Sequence, residues 1–143
     1  HAGETTGPET VWSAITDLKA ERIGHGTSAA QDPRLMAHLA DNNIAVEVCP
    51  TSNIRTKAVS AFERHPLPVL LDSGVPVTLA TDDPGMFHTT VNQEYLTCHE
   101  VFGFDRETLA ELAITGVRAS YAPDVVKNAV MTDIKAVQKP DHV

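Results

Sequence analysis

The most constraining stretch of the chain is Val75-Pro76-Val77-Thr78-Leu79-Ala80, which ends abruptly in Thr81-Asp82-Asp83-Pro84. A run that is apolar at almost every position, and rich in β-branched residues, suits a strand covered on both faces, as in a parallel sheet layered with helices. Two further runs repeat the pattern. Glu21 to His25 leads into Gly26, and Ile44 to Cys49 leads into Pro50-Thr51-Ser52-Asn53. His1-Ala2-Gly3-Glu4 reads as the end of a fourth strand with the loop that follows it. Polar, chemically able residues at the carboxyl ends of successive parallel strands predict a site on the rim of an α/β barrel.

Between these runs the apolar spacing turns helical. Val11, Trp12, Ile15 and Leu18 predict an amphipathic helix opened by Pro8. Asp32-Pro33 supplies an N-cap and a first-turn proline for a second helix, with Leu35, Met36, Leu39 and Ala40 inward and Asp41-Asn42-Asn43 closing it. Thr51 to Arg64 predicts a long loop with a short helical piece. His65-Pro66-Leu67-Pro68 then leads to a helix through Leu70 and Leu71, ended by Ser73-Gly74. Residues 92–102, 105–121 and 123–137 predict three helices, with a frayed tail from Lys139 to Val143. Strands alternating with helices give parallel βα units with right-handed crossovers.

The 143 residues, 42% of them apolar, suffice for one core. Three strands and a strand end make about half of an eight-stranded barrel, and a chain that begins on a candidate metal ligand reads as the back portion of something larger. The formal charge of −8 argues against a nucleic-acid partner, because phosphate binding needs clustered Lys and Arg. No stretch approaches the roughly 18–20 apolar residues of a membrane span. Cys49 and Cys98 form no Cys-x-x-Cys motif, and a reducing, cytoplasmic setting is expected.

The chemistry rests on a few residues. His1 suits a divalent metal through a ring nitrogen, and Asp82 can supply a carboxylate oxygen to the same ion. A terminal histidine without a role is the plain alternative. Glu4 in a dry pocket could carry a proton to a substrate nitrogen, or be an ordinary loop carboxylate beside a helix N-terminus. His25, flanked by two glycines that allow a tight bend, is a candidate base or electrostatic partner, set against a satisfied histidine under a loop. Adjacent Asp82 and Asp83 repel unless a cation or donors neutralise them, so one would face a metal and the other a substrate. An Asx turn before Pro84 competes with that reading. Ser52 and Asn53 would orient neighbouring groups or cap a turn. Glu47 is expected to pair with a cation within its strand, and Cys49 to be a small buried hydrophobe. His38, His65, His88, His99 and His142 read as surface or helix-face residues, His88 being nearest the Asp pair.

Taken together, His1-Ala2-Gly3-Glu4, Arg22-Ile23-Gly24-His25-Gly26, Cys49-Pro50-Thr51-Ser52-Asn53 and Thr81-Asp82-Asp83-Pro84, with Glu94-Tyr95 beyond, resemble the adenosine deaminase family of zinc-dependent purine deaminases. The resemblance implies the C-terminal half of a (β/α)8 barrel of the metal-dependent hydrolase kind, with residues 1–143 running from the end of the fifth strand through the last helices. It implies one zinc per full-length chain, held in part by His1 and Asp82. It also implies Glu4 as proton donor to the purine ring and His25 as the group that orients and helps deprotonate the attacking water. Asp83 and Gly3 are the implied substrate-binding residues. The family's N-terminal His-x-His pair has no counterpart here, so the chain alone is expected to be inactive and to need the missing half of the barrel.

The expected substrate is a purine nucleoside, adenosine or deoxyadenosine first, with aminodeoxyfutalosine or adenine as alternatives. Gly24, where adenine-specific relatives are expected to carry Asp, favours a nucleoside. From other classes, a non-catalytic remnant remains open, whereas a small α/β module using Asp82 and Asp83 for Mg²⁺ fails on strand count and leaves His1 and His25 without a role.

Overall fold

The computed structural model describes residues 1–138, so the tail expected to fray from Lys139 and His142 lie outside the described residues. Three short parallel strands, β1 (Arg22–Gly24), β2 (Ala45–Val48) and β3 (Val77–Leu79), lie side by side in that order. Their register aligns Ile23 with Val46 and Val46 with Val77. These three side chains are all buried. Ala2 joins the same edge through an isolated parallel bridge to His25: its N–H donates to the Gly24 carbonyl, and its own carbonyl accepts from the Gly26 N–H. The expected strand end at His1 is thus in place beside β1.

Helices fill the intervals. They are α1 (Pro8–Thr16), α2 (Pro33–Asp41), α3 (Pro50–Arg55), α4 (Leu67–Asp72), α5 (Pro84–Phe87), α6 (Val91–Phe102), α7 (Arg106–Ala119) and α8 (Asp124–Gln138), with single 3-10 turns at Thr27–Gln31 and Phe62–Arg64. The capping chemistry written in the sequence is realised. Asp32 accepts from the Arg34 N–H ahead of Pro33, Asp105 accepts from the Thr108 N–H, and Thr90 accepts from the Gln93 N–H. Each such cap satisfies a helix-end donor that would otherwise go unpaired, worth about 1 kcal/mol. Trp12 links the first two helices by donating its indole N–H to Asp32 Oδ2 at 3.0 Å. That bond is the main reason the Asp32 carboxyl is held below the ordinary aspartate range.

The core gathers Val11 of α1, Leu35 and Leu39 of α2, Leu67 and Leu70 of α4, Cys98 of α6 and Leu112 of α7 against Ile23, Val46, Val48 and Val77 of the sheet. Full burial of each large apolar side chain contributes roughly 1.5–3 kcal/mol. One expectation needs correction. Leu18 is 78% exposed, because α1 ends at Thr16 and the chain leaves through Asp17 and Lys19, the latter in the left-handed region. Thr51 to Arg64 holds the expected short helical piece, α3, which Pro50 starts as it stops β2, and loop follows it.

Gly26 has φ +65°, and a Cβ there would lie 2.7 Å from Val46 Cγ1 in the middle of the core. Strain and overlap act together at this position. Gly26→Ala is expected to lower unfolding stability by about 1–3 kcal/mol, read as a reduced urea midpoint with an unchanged slope.

Candidate active site

Two of the strand ends are bent by non-glycine residues in left-handed conformation. His25 follows β1 with φ 64°, and Asp82 follows β3 with φ 59°. Such backbone costs roughly 1–2 kcal/mol per residue and persists only where its surroundings fix it. At β1 the fixing is clear: the His25 N–H donates to the Glu47 carbonyl of the neighbouring strand, and Gly26 turns next. The result aims His25 across the rim toward the loop of residues 1–4.

There the side chains converge. His25 Nε2 lies 3.0 Å from His1 Nδ1, 3.5 Å from Glu4 Oε2 and 4.0 Å from Asp82 Oδ2. Ligating atoms of His1, Glu4 and His25 all lie within 4.8 Å of one another, a grouping able to hold a metal ion. His25 is 2% exposed, whereas the Glu4 and Asp82 side chains are 19% and 24% exposed. The Ser52 hydroxyl donates to Asp82 Oδ2 at 2.7 Å, and the Thr56 hydroxyl reaches Glu4 Oε1 at 3.5 Å. The four residues named from sequence, His1, Glu4, His25 and Asp82, therefore meet at one place. A set of imidazole nitrogens and carboxylate oxygens is the donor chemistry that zinc takes.

Behind His25 the structure holds a second layer. The Asn53 amide nitrogen lies 3.2 Å from His25 Nδ1, and its oxygen lies 3.2 Å from His65 Nε2. The backbone N–H of Leu67 donates to His65 Nδ1 at 3.1 Å. His65 is therefore no surface histidine, contrary to the sequence expectation. It is 5% exposed, and burial pushes its pKa down to about 4. The only hint in the sequence was its place in His65-Pro66-Leu67-Pro68, at the head of a helix rather than along one. Glu94 is likewise buried, accepting from the Thr51 N–H at 3.0 Å and from the Thr89 hydroxyl. It thus ties α6 to the start of α3.

The other expected residues fall at the margin. Asp83 is exposed and caps α5 by accepting from the Met86 N–H at 3.0 Å, the Asx-turn arrangement. Gly3 spends its N–H on the Thr10 hydroxyl and its carbonyl on the Ser28 N–H and Thr27 hydroxyl, which leaves it to shape the turn that presents Glu4. Glu47 pairs with Arg22 at 3.3 Å, the in-strand cation expected for it. Cys49 is buried, and burial, followed by the charge of Asp82, raises its pKa to about 12, which keeps the thiol protonated. His38 sits over Trp12, His99 bonds the Phe104 carbonyl, and His88 lies exposed beyond α5, away from the cluster.

The structure is thus a partial α/β unit, a three-stranded parallel sheet with histidine and carboxylate side chains gathered beyond its strand ends. The sequence model of the adenosine deaminase family matches residues 1–137, and the chain belongs to that family. It is 58% identical to an aminodeoxyfutalosine deaminase of Streptomyces coelicolor over 85% of this chain and 31% of the relative. Relatives at 39–44% identity bear the names adenosine deaminase and adenine deaminase. Among solved structures, adenine deaminase from Arthrobacter aurescens superposes with a TM-score of 0.95 at 31% identity, over 98% of this chain and 43% of that one. An amidohydrolase from Burkholderia ambifaria, solved with bound Zn, gives 0.87 at 25% identity, over 96% and 39%. The chain thus spans between about a third and two fifths of the length of these proteins.

The low pKa of His65 links stability to pH. Between about pH 6.5 and 4 the unfolded chain takes up a proton on His65 that the folded chain refuses, so the contribution is present above that window and lost as pH falls through it. The loss is expected to reach roughly 3 kcal/mol. Urea unfolding across this range should show the slope, and His65→Gln should flatten it.

Proposed function

We propose that residues 1–143 are the C-terminal half of a deaminase barrel, and that the whole protein hydrolytically deaminates a 6-aminopurine nucleoside, releasing ammonia and a 6-oxopurine. The observation that carries this reading is the convergence of His1, Glu4 and Asp82 on His25 Nε2 at 3.0, 3.5 and 4.0 Å. His1 and Asp82 are assigned to hold zinc, which the donor set fits and which the printed description of the Burkholderia ambifaria structure names for that protein. When bound, the metal supplies the Lewis acidity that makes hydroxide available near neutral pH.

The chain's own residues divide the remaining work. Glu4 delivers a proton to the ring nitrogen beside the reacting carbon as the water oxygen adds there, so that no negative charge accumulates on the purine. His25 and Asp82 fix the attacking water. Ser52 holds Asp82 in place through its 2.7 Å hydrogen bond. The proton that the water gives up passes to the amino group, and breakage of the carbon–nitrogen bond then releases ammonia. Asp83, with Oδ2 not engaged in the α5 cap, and Gly3 border the purine. Two free, buried cysteines suit a reducing, cytoplasmic setting. Among the described residues no helix is long and apolar enough to cross a membrane.

Adenosine and deoxyadenosine are the first substrates of this reading. A second, aminodeoxyfutalosine, is favoured by the 58% identity to a protein of that name. Gly24, where adenine-specific relatives are expected to carry Asp, suits either nucleoside.

Zinc content and the loss of nucleoside absorbance, measured on this chain and on the intact protein, test the proposal. The intact protein is expected to hold about one zinc per chain and to deaminate one of the two nucleosides, while the isolated chain does neither. Glu4→Gln in the intact protein should cut kcat by about 10²–10⁴-fold with zinc retained. An intact protein that binds zinc and leaves both nucleosides and adenine unchanged would overturn the substrate class.

A further inference from the structure

The buried row Leu67 N–H, His65, Asn53, His25 carries information that the cluster itself does not. Its first member is a backbone amide, which can only donate. His65 Nδ1 lies 3.1 Å from it and must therefore accept. A buried imidazole that accepts at Nδ1 and stays neutral carries its proton on Nε2. That N–H points at the Asn53 side chain, so the atom receiving it at 3.2 Å is the amide oxygen. The orientation of the Asn53 amide follows: its NH2 faces His25 Nδ1 at 3.2 Å, and His25 Nδ1 must accept as well. The proton of a neutral His25 then resides on Nε2, the atom that faces the site.

The same answer comes from the opposite end. Around His25 Nε2 stand His1 Nδ1, a Glu4 oxygen and an Asp82 oxygen, at 3.0, 3.5 and 4.0 Å, every one of them able to accept a hydrogen bond. Among the described residues Asn53 is the one side chain hydrogen-bonded to Nδ1, and it offers a donor. Asn53 is fully buried, so water cannot substitute for either of its partners. Its backbone is held as well, because its N–H donates to the Cys49 carbonyl and its carbonyl accepts from the Val59 N–H.

We propose that Asn53 and His65 are positioning residues, which together lock His25 in the tautomer that presents an Nε2–H donor to the reacting groups. The lock starts at the Leu67 amide at the head of α4, so a helix terminus outside the site decides which face His25 shows within it. His25 is on this account a donor toward the attacking water and the carboxylates, and the accepting partner is Asp82. The catalytic consequence rests on the deaminase reading above; the tautomer does not.

The test uses the intact protein labelled with 15N-histidine, with the His25 signals identified by their loss in His25→Asn. Long-range proton–nitrogen spectra separate pyridine-type from pyrrole-type ring nitrogens. The expected pattern is a pyridine-type Nδ1 and a pyrrole-type Nε2 on His25. Asn53→Asp, which replaces the donor by an acceptor, should convert Nδ1 to pyrrole type. His65→Leu should leave a mixture of tautomers and lower kcat about 10- to 100-fold with KM little changed. His65→Gln retains a terminal N–H donor and should restore both the pattern and kcat. Should His65→Leu fail to fold, the Asp and Gln variants carry the test unaided. A wild-type Nδ1 of pyrrole type, or an Asn53→Asp protein whose Nδ1 remains pyridine-type, would overturn the proposal. An intact protein with the expected tautomer and no deaminase activity would sink the functional reading and leave the lock standing.

Discussion

The ladder that aligns Ile23, Val46 and Val77 governs the rest of the molecule. Side chains alternate across a strand, so burying this row beneath α2, α4 and α7 fixes which backbone positions come last before the rim. A slip of one residue would turn each side chain of the slipped strand to the opposite face of the sheet. Because the strands are only three or four residues long, their own hydrogen bonds cannot resist such a slip. The packed Val and Ile side chains do. His25, Cys49 and Ala80 leave the sheet at heights set by that packing, and the turns that follow deliver His25, Ser52 with Asn53, and Asp82 to one locality.

Much of this was legible in the residues because the signals were local. Asp32-Pro33 specifies a helix start through capping and a fixed φ, and the structure uses both. Val75 to Ala80 reads as a strand because nothing in it wants water. Three of the four blocks now grouped at the site follow an apolar run, so their common placement needed only the rule that parallel strands end on one side. What escaped notice depended on contacts distant in sequence. Leu18 had the right spacing and the wrong position, since a helical period does not say where the helix stops. His65 lies 40 residues from His25, and its place at the head of a helix was the one local sign of a buried linker. The left-handed backbone of His25 and Asp82 was equally hidden, since it is imposed by the strand ends and not by any local preference for it.

The site is built with unequal rigidity. Asn53 and His25 are sealed from solvent and held by several partners each, while Glu4 and Asp82 stand partly open at the rim. This division suits a surface on which orientation must be fixed and protons must move. A buried amide cannot exchange its partners for water, so it keeps one orientation. A half-open carboxylate can meet a ligand without first breaking a costly internal bond. Ser52 stands between the two regimes, buried itself yet donating outward to Asp82.

Glu94 gives α6 a part in this arrangement. Its carboxyl bridges the Thr51 N–H at the head of α3 and the Thr89 hydroxyl at the approach to α6, with no route to solvent for either oxygen. Ser52 and Asn53 are the next two residues along α3. The lever that carries them is therefore pinned at its fulcrum by a helix on the far side of β3. Displacing α6 would have to drag that fulcrum along, since neither bond has a substitute nearby. In mechanical terms α6 is a clamp: its alignment calibrates two side chains of another helix.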